Sequence, residues 1–389
     1  MSFRKRNAVI STSSATPVAG KPTNAQIPGV RPSPYDSRPT TSTGTPSLDN
    51  ILAGHAGMPM GTSLLIHEHG TTDFAGILVK YYAAEGLVQG HQVHVLGLHD
   101  GWKNELPGIA SASSSSSKKN MAESPSDKMK IAWRYETLGS AAASRERNPV
   151  QHPSASGAGP ATVFCHSFDL SKKLSPGDVK GQVTFYPSMA PQSFKTQTKA
   201  PPSPLRQFIR DLSAKIASSP SDVVYRIVVP GLLSPTAYAG SSCRPEEVLQ
   251  FLHALRALLR QYAARLTALI TVPVSLYPRS AGVTRWMEIL SDGVLELIPL
   301  QSNAIHAPPP TSKSDSKSED QTQGLMKVHS LPIFHEKGGG SSESYTSGED
   351  QSFSLSRSKG LVIRPFSLPP VGEEEEEKKK QEAGKSMDF

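Results

Sequence analysis

The stretch GTSLLIHEHGTTDFAGILVKYYAAEGLVQGHQVHVLGL, residues 61–98, constrains the fold more than any other part of the chain. An apolar strand over 63–67 runs into a small polar turn, an amphipathic helix follows over 74–87, and a second strand covers 92–98. In a phosphate-binding domain that turn reads G-x-x-x-x-G-K-[ST]: backbone N–H groups wrap the phosphates, a lysine neutralises them and a hydroxyl holds Mg²⁺. Here it reads His67-Glu68-His69-Gly70-Thr71-Thr72-Asp73, and the lysine is missing. Gly70, Thr71 and Thr72 stand at the phosphate-loop position, where the threonine hydroxyls and the helix N-terminus offer donors to a phosphate. Glu68 and Asp73 bring negative charge to the same turn and favour a packing loop. Asp73 also suits the N-cap of the following helix.

Around this unit, helices and strands alternate. Ser47 is placed to cap a short helix through Leu52, and glycines at 54, 57 and 61 lead from it into the first strand. Leu205, Phe208, Ile209, Leu212 and Ile216 share one face of a helix over 204–216, and 222–229 is a nearly continuous apolar strand. The clearest helix starts at Pro245, sets Glu246 and Glu247 against its N-terminal dipole, and repeats apolar residues to Tyr262 at three- and four-residue spacing. A strand over 266–276, a helix over 283–290 and a strand over 293–300 complete the run. The expectation is an α/β fold with a mostly parallel sheet covered on both faces. Strands over 324–334 and 360–368 are expected to add an antiparallel edge.

Composition divides the chain. Of 389 residues, 33 are proline and only 37% are hydrophobic, which points to one core enlarged by linkers. The Ser-, Thr-, Pro- and Gly-rich segments have too little apolar surface to offset ordering entropy. This sets out a disordered tail over 1–42 and a core over 43–300 with flexible insertions near 109–127, 139–160 and 187–204. A linker follows over 301–323, a strand region over 324–336, a linker over 337–358, a strand region over 359–370 and a charged tail over 371–389. Cys165 and Cys243 form no C-x-x-C pair, which suits a reducing compartment. No run is long and apolar enough to span a bilayer, so a soluble intracellular protein is expected. The net charge of +7 favours polyanionic partners without establishing one.

Several fragments carry a resemblance. RPSPYDSRPTTSTGTPSLDNILAG followed by GTSLLIHEH, then KIAWRYE (130–136), FCHSFDLSKKL (164–174), LITVPVSLY (269–277), GLMKVHSLP (324–332) and the terminal MDF resemble, in that order, the family of fourth subunits of the Elongator complex. The resemblance implies a RecA-like, P-loop-type domain without usable phosphate-loop signatures. It further implies a hetero-hexameric ring with two related subunits that binds tRNA and hydrolyses ATP at ring interfaces. That ring serves the catalytic Elongator subcomplex in carboxymethyl-type modification of wobble uridines, in cytoplasm and nucleus. The chain itself is then an accessory subunit, with no cofactor of its own.

The residues agree with the non-catalytic part. The strand over 223–229, which in an ATPase ends in an acidic residue beside Mg²⁺, ends here in Pro230-Gly231. An active P-loop ATPase with a relaxed motif is the competing expectation, and the missing lysine together with Pro230 opposes it. His67 and His69 would share a side if the strand ran through both, but no third ligand follows, so local hydrogen bonding is expected rather than a metal. No Ser, His and acid set carries weight without geometry.

Loops after the later strands of RecA-like rings face the pore, which makes Arg279 and Arg285 the candidates for RNA phosphates. For Trp286 two readings compete: stacking on an unpaired base, or a helix core face with Ile289 and Leu290. Trp133 and Tyr135 alternate in KIAWRYE and are candidates for a subunit interface, and Arg134 is one for reaching a neighbour's nucleotide.

Overall fold

The computed structural model describes residues 27–52, 55–70, 72–110, 163–188, 203–300, 322–332, 351–357 and 360–366. Its strands are β1 (Val30–Pro32), β2 (Pro39–Thr41), β3 (Met58–Pro59), β4 (Ser63–Glu68), β5 (Gln92–Leu96), β6 (Pro107–Ile109), β7 (Phe168–Lys173), β8 (Gln182–Tyr186), β9 (Tyr225–Val229), β10 (Leu266–Pro273), β11 (Gly293–Pro299), β12 (Gly324–Ser330), β13 (Gln351–Ser356) and β14 (Gly360–Pro365). Its α-helices are α1 (Pro46–Ile51), α2 (Phe74–Gln89), α3 (Pro204–Ser218), α4 (Pro245–Gln261) and α5 (Gly282–Leu290).

The continuous apolar strands pair as expected for a sheet buried on both faces. One sheet runs β14-β13-β12-β11-β4-β10-β9-β5-β8. It is parallel from β11 to β8, and β12, β13 and β14 continue it as an antiparallel edge. β10 lies between β4 and β9, with Ile270 level with Leu65 on one side and Val229 on the other. The loops after β4 and β9 therefore leave the same edge of the sheet, one on each side of β10.

The two faces are covered differently. α3, α4 and α5 pack on one through Leu205, Phe208, Leu212, Val248, Phe251, Leu252, Leu255 and Met287. α2 lies on the other under a second layer that includes α1, Trp102 and Phe168, so it is buried nearly all round instead of along one stripe. It ends at Gly90, a left-handed cap.

The fully buried Arg226 of β9 joins the sheet to this layer. Its Nε donates to His91 Nδ1 (3.0 Å), Nη1 to the Tyr82 carbonyl (3.0 Å) and Nη2 to Thr41 Oγ1 (2.7 Å). Gly86 makes room for it, since a Cβ there would strike the Arg226 side chain.

Three expectations are corrected. Residues 30–32 and 39–41, inside the stretch read as a tail, are strands that form a small antiparallel sheet with β3, held by Thr41 Oγ1 donating to the Gly29 carbonyl (2.9 Å). Residues 351–356, read as linker, are β13, whose Phe353 is buried edge-on against Phe74. The N-cap of α1 is Thr45 and not Ser47, whose hydroxyl instead accepts from the Ile363 amide of β14 (3.1 Å). That bond satisfies an edge-strand donor.

Candidate functional site

β4 continues one residue beyond its expected end, through Glu68, and this sets the geometry of the loop. Burial of β4 puts His67 fully inside, while Glu68 reaches forward over the start of α2. Glu68 Oε1 accepts from the Ala75 amide at 3.2 Å, with the Thr72 hydroxyl 3.4 Å away. Gly70, at φ +74°, donates its amide to Ser275 Oγ at 2.8 Å. Asp73 is the N-cap residue as expected, but its side chain makes no capping bond. Its carboxylate lies where a Cβ on Gly76 would collide with it. Thr71 lies outside the described residues.

The N-terminus of α2, which in a phosphate loop faces the ligand, thus faces the chain's own carboxylate. Burial pushes the Glu68 carboxyl up to about 7, with the Ala75 amide working against that rise and Asp73 adding to it. Burial raises Asp73 as well. A triphosphate entering here would meet carboxylates, not a lysine. Like charges about 4 Å apart repel by about 4 kcal/mol at an effective dielectric near 20.

On the other side of β10, the turn after β9 is shaped by packing. Gly231 (φ +54°) donates its amide to Thr271 Oγ1 and Leu232 donates to the Thr271 carbonyl, both at 2.7 Å. The buried Tyr238 hydroxyl lies 3.3 Å from the carbonyls of Leu96 and Pro230. The turn sequence Pro230-Gly231-Leu232-Leu233-Ser234 contains no acid to hold Mg²⁺.

Beside the closed loop the structure gathers charge. His67 Nδ1 stands 3.7 Å from Glu288 Oε1 on α5, its two ring nitrogens have no hydrogen-bond partner, and burial lowers its pKa to about 4. Glu296 of β11 is bridged by His69 Nε2 at 2.5 Å and His329 Nε2 at 2.6 Å, and these bonds, His329 first, hold its carboxyl down at about 2. The two histidines noted in the sequence face different carboxylates, His67 toward Glu288 and His69 toward Glu296, and do not converge on one point. Among the described residues no group of three or more His, Cys, Asp or Glu is arranged to hold a metal ion.

Arg279 faces Glu288 through two bonds, Nε to Oε1 at 2.6 Å and Nη2 to Oε2 at 3.3 Å, and lies 3.9 Å from Glu296. Arg285, 66% exposed, donates to Glu288 Oε2 at 3.0 Å. Any phosphate contact by Arg279 would compete with a bidentate carboxylate, whereas Arg285 points into solvent.

The expected core face of α5 is corrected: Thr284, Met287 and Glu288 are buried, while Trp286 and Ile289 are 55% and 51% exposed. Trp286→Ala is therefore expected to change stability by less than about 0.5 kcal/mol in a urea melt. Trp133, Arg134 and Tyr135 lie outside the described residues.

One Ser, His and acid set does assemble, at Ser33, His55 and Asp36. Ser33 Oγ lies 2.7 Å from His55 Nδ1, but Asp36 approaches the same nitrogen at 3.6 Å and Nε2 is buried without a partner. With acid and hydroxyl on one nitrogen the ring cannot relay a proton between them, so this is a packing contact.

Fold and site together define an α/β protein with a large mixed sheet flanked by helices, in which Glu68 fills the loop between β4 and α2. The chain belongs to the PAXNEB protein family, whose model matches residues 23–388. It is 30% identical over 387 residues to Elongator complex protein 4 of Schizosaccharomyces pombe, covering 95% of this chain and 97% of that one. The Saccharomyces cerevisiae protein of the same name is 28% identical over 80% of this chain and 70% of its own. The human one is 30% identical over 71% of this chain and 67% of its own.

Proposed function

We propose that the chain is a non-catalytic, RecA-like subunit of an Elongator complex, and that it serves a ring in which related subunits bind tRNA and support carboxymethyl-type modification of wobble uridines. The observation that carries this reading is the closed loop in a chain similar along nearly its whole length to a protein named as an Elongator subunit. The strand order supports the RecA-like part, because β10 separates the loop-bearing strand from the strand that would carry the Mg²⁺-binding acid. A domain can keep this framework for its surfaces when its own pocket has no triphosphate to hold. ATP, where it is used, belongs at ring interfaces. The site of action is cytoplasmic and nuclear.

Arg285 is the better placed of the two arginines for an RNA phosphate. Its replacement by Ala is expected to weaken tRNA binding by the assembled ring about fivefold or less and to reduce the salt slope by about one, measured as log affinity against log salt. Native mass measurement of the purified assembly tests the proposal itself: two copies of this chain with two copies each of two related subunits support it, and a monomer that associates with neither contradicts it.

A further inference from the structure

Remote from the loop, a cavity of about 290 Å³ opens between the segment before α1, α2, β7 and β14. Its walls include Thr45, Tyr81, His166, Ser167, Phe168 and Leu361. Behind it stands a buried charge cluster. Glu85 of α2 is fully buried and fully engaged: Gln89 Nε2 donates to it at 2.7 Å, the His166 amide at 3.0 Å, and His166 Nδ1 lies 3.0 and 3.2 Å from its two oxygens.

That clamp holds the imidazole through Nδ1, and His166 lines the cavity. The Thr45 hydroxyl, 2% exposed, has no hydrogen-bond partner. Neither does the Tyr81 hydroxyl make a bond of normal geometry, although the Leu361 backbone lies beside it.

Two carboxylates and two guanidiniums meet in the cluster. Asp49 of α1 accepts from Ser42 Oγ at 2.6 Å, the Thr43 amide at 2.8 Å and Thr43 Oγ1 at 2.6 Å. Arg226 of β9 faces both Asp49 and Glu85, and Arg31 of β1 faces Asp49; burial pushes the Asp49 carboxyl up to about 6 and the nearby Cys165 thiol far up, so the thiol stays neutral. The Tyr81 phenol, the Thr45 hydroxyl and the His166 ring line the cavity, and the carboxylates behind them are already satisfied.

We propose that this cavity binds a small oxyanion, a carboxylate or a phosphate monoester, with His166 and Tyr81 as its principal donors. Equilibrium dialysis of the full chain against radiolabelled inorganic phosphate, at constant ionic strength and pH 7, tests it. Saturable binding is expected. Tyr81→Phe, which removes only an oxygen, should weaken it about tenfold while leaving the thermal melt unchanged, and His166→Gln should weaken it by a similar factor. Competition by acetate at equal concentration assigns the site to carboxylates, and its failure assigns it to phosphate esters. No saturable binding of phosphate or acetate at pH 7, or binding that Tyr81→Phe and His166→Gln leave unchanged, would overturn the proposal.

Discussion

Arg226→Met should lower the unfolding free energy by about 3–5 kcal/mol, the cost typical of breaking a buried ionic network from one side. The loss has three parts. His91 Nδ1, the Tyr82 carbonyl and Thr41 Oγ1 each lose a donor, and Thr41 Oγ1 keeps only its bond to the Gly29 carbonyl. Asp49 and Glu85 lose a countercharge inside the protein. The tie between β9, α2 and the small N-terminal sheet is cut, although the methionine stem keeps part of the packing. Against a typical total stability of about 5–15 kcal/mol this is a large fraction. A urea titration reads it as a lower midpoint at unchanged slope. A change below about 1 kcal/mol would mean that the network does not hold the layers together.

Glu68→Gln should act in the opposite direction, with a gain that grows as pH rises above about 4.5. The folded chain keeps the Glu68 proton up to about pH 7, while the unfolded chain releases it near 4.5. Between these values the folded state binds more protons, so stability falls as pH rises through the window. A shift of that size corresponds to about 3 kcal/mol, and partial exposure of the side chain reduces it to about 2 kcal/mol. Glutamine keeps the acceptor for the Ala75 amide and carries no charge. The variant is expected to be more stable than the native protein by about 2 kcal/mol at pH 8, with the gain nearly gone at pH 4.5. Thermal melts at the two pH values measure it, and a gain that is equal at both would remove burial of the carboxylate as its cause.

His67 works the other way. Burial lowers its pKa to about 4, so the folded state resists a proton that the unfolded chain takes up near 6.5, and stability is lost as pH falls from 6.5 toward 4. The two groups, one residue apart, oppose each other across mildly acidic pH.

Much of this arrangement could be read from residue order, and the exceptions have physical reasons. The central strands and α4 announce themselves, since continuous apolar runs and three- and four-residue spacing have few other solutions. β1 and β2 do not: Arg31-Pro32 and Pro39-Thr40 look like linker, and they become strands only because Met58–Pro59 pairs with them and Thr41 reaches Gly29 and Arg226. β13 follows a glycine- and serine-rich run, and its place depends on partners β12 and β14. The face of α5 was misjudged because a glutamate is buried where a tryptophan is not, and burial of Glu288 rests on Arg279 and Arg285 binding it. The buried Arg226, within a strand of otherwise suitable residues, gives no local signal.

At the loop, the missing lysine and the acidic character were visible in the sequence. The direction of Glu68 was not, because it depends on β4 pairing with β10 and β11 through residue 68. The cavity beside His166 joins residues from segments far apart in the chain and had no local sequence signal.

Equilibrium binding of Mg²⁺–ATP to the isolated chain tests the central claim, that the strand, loop and helix are retained while the phosphate position is occupied from within. No saturable binding up to about 1 mM nucleotide is the expected result, equivalent to less than about 4 kcal/mol of affinity. Saturable binding near 1 μM, about 8 kcal/mol, would contradict it.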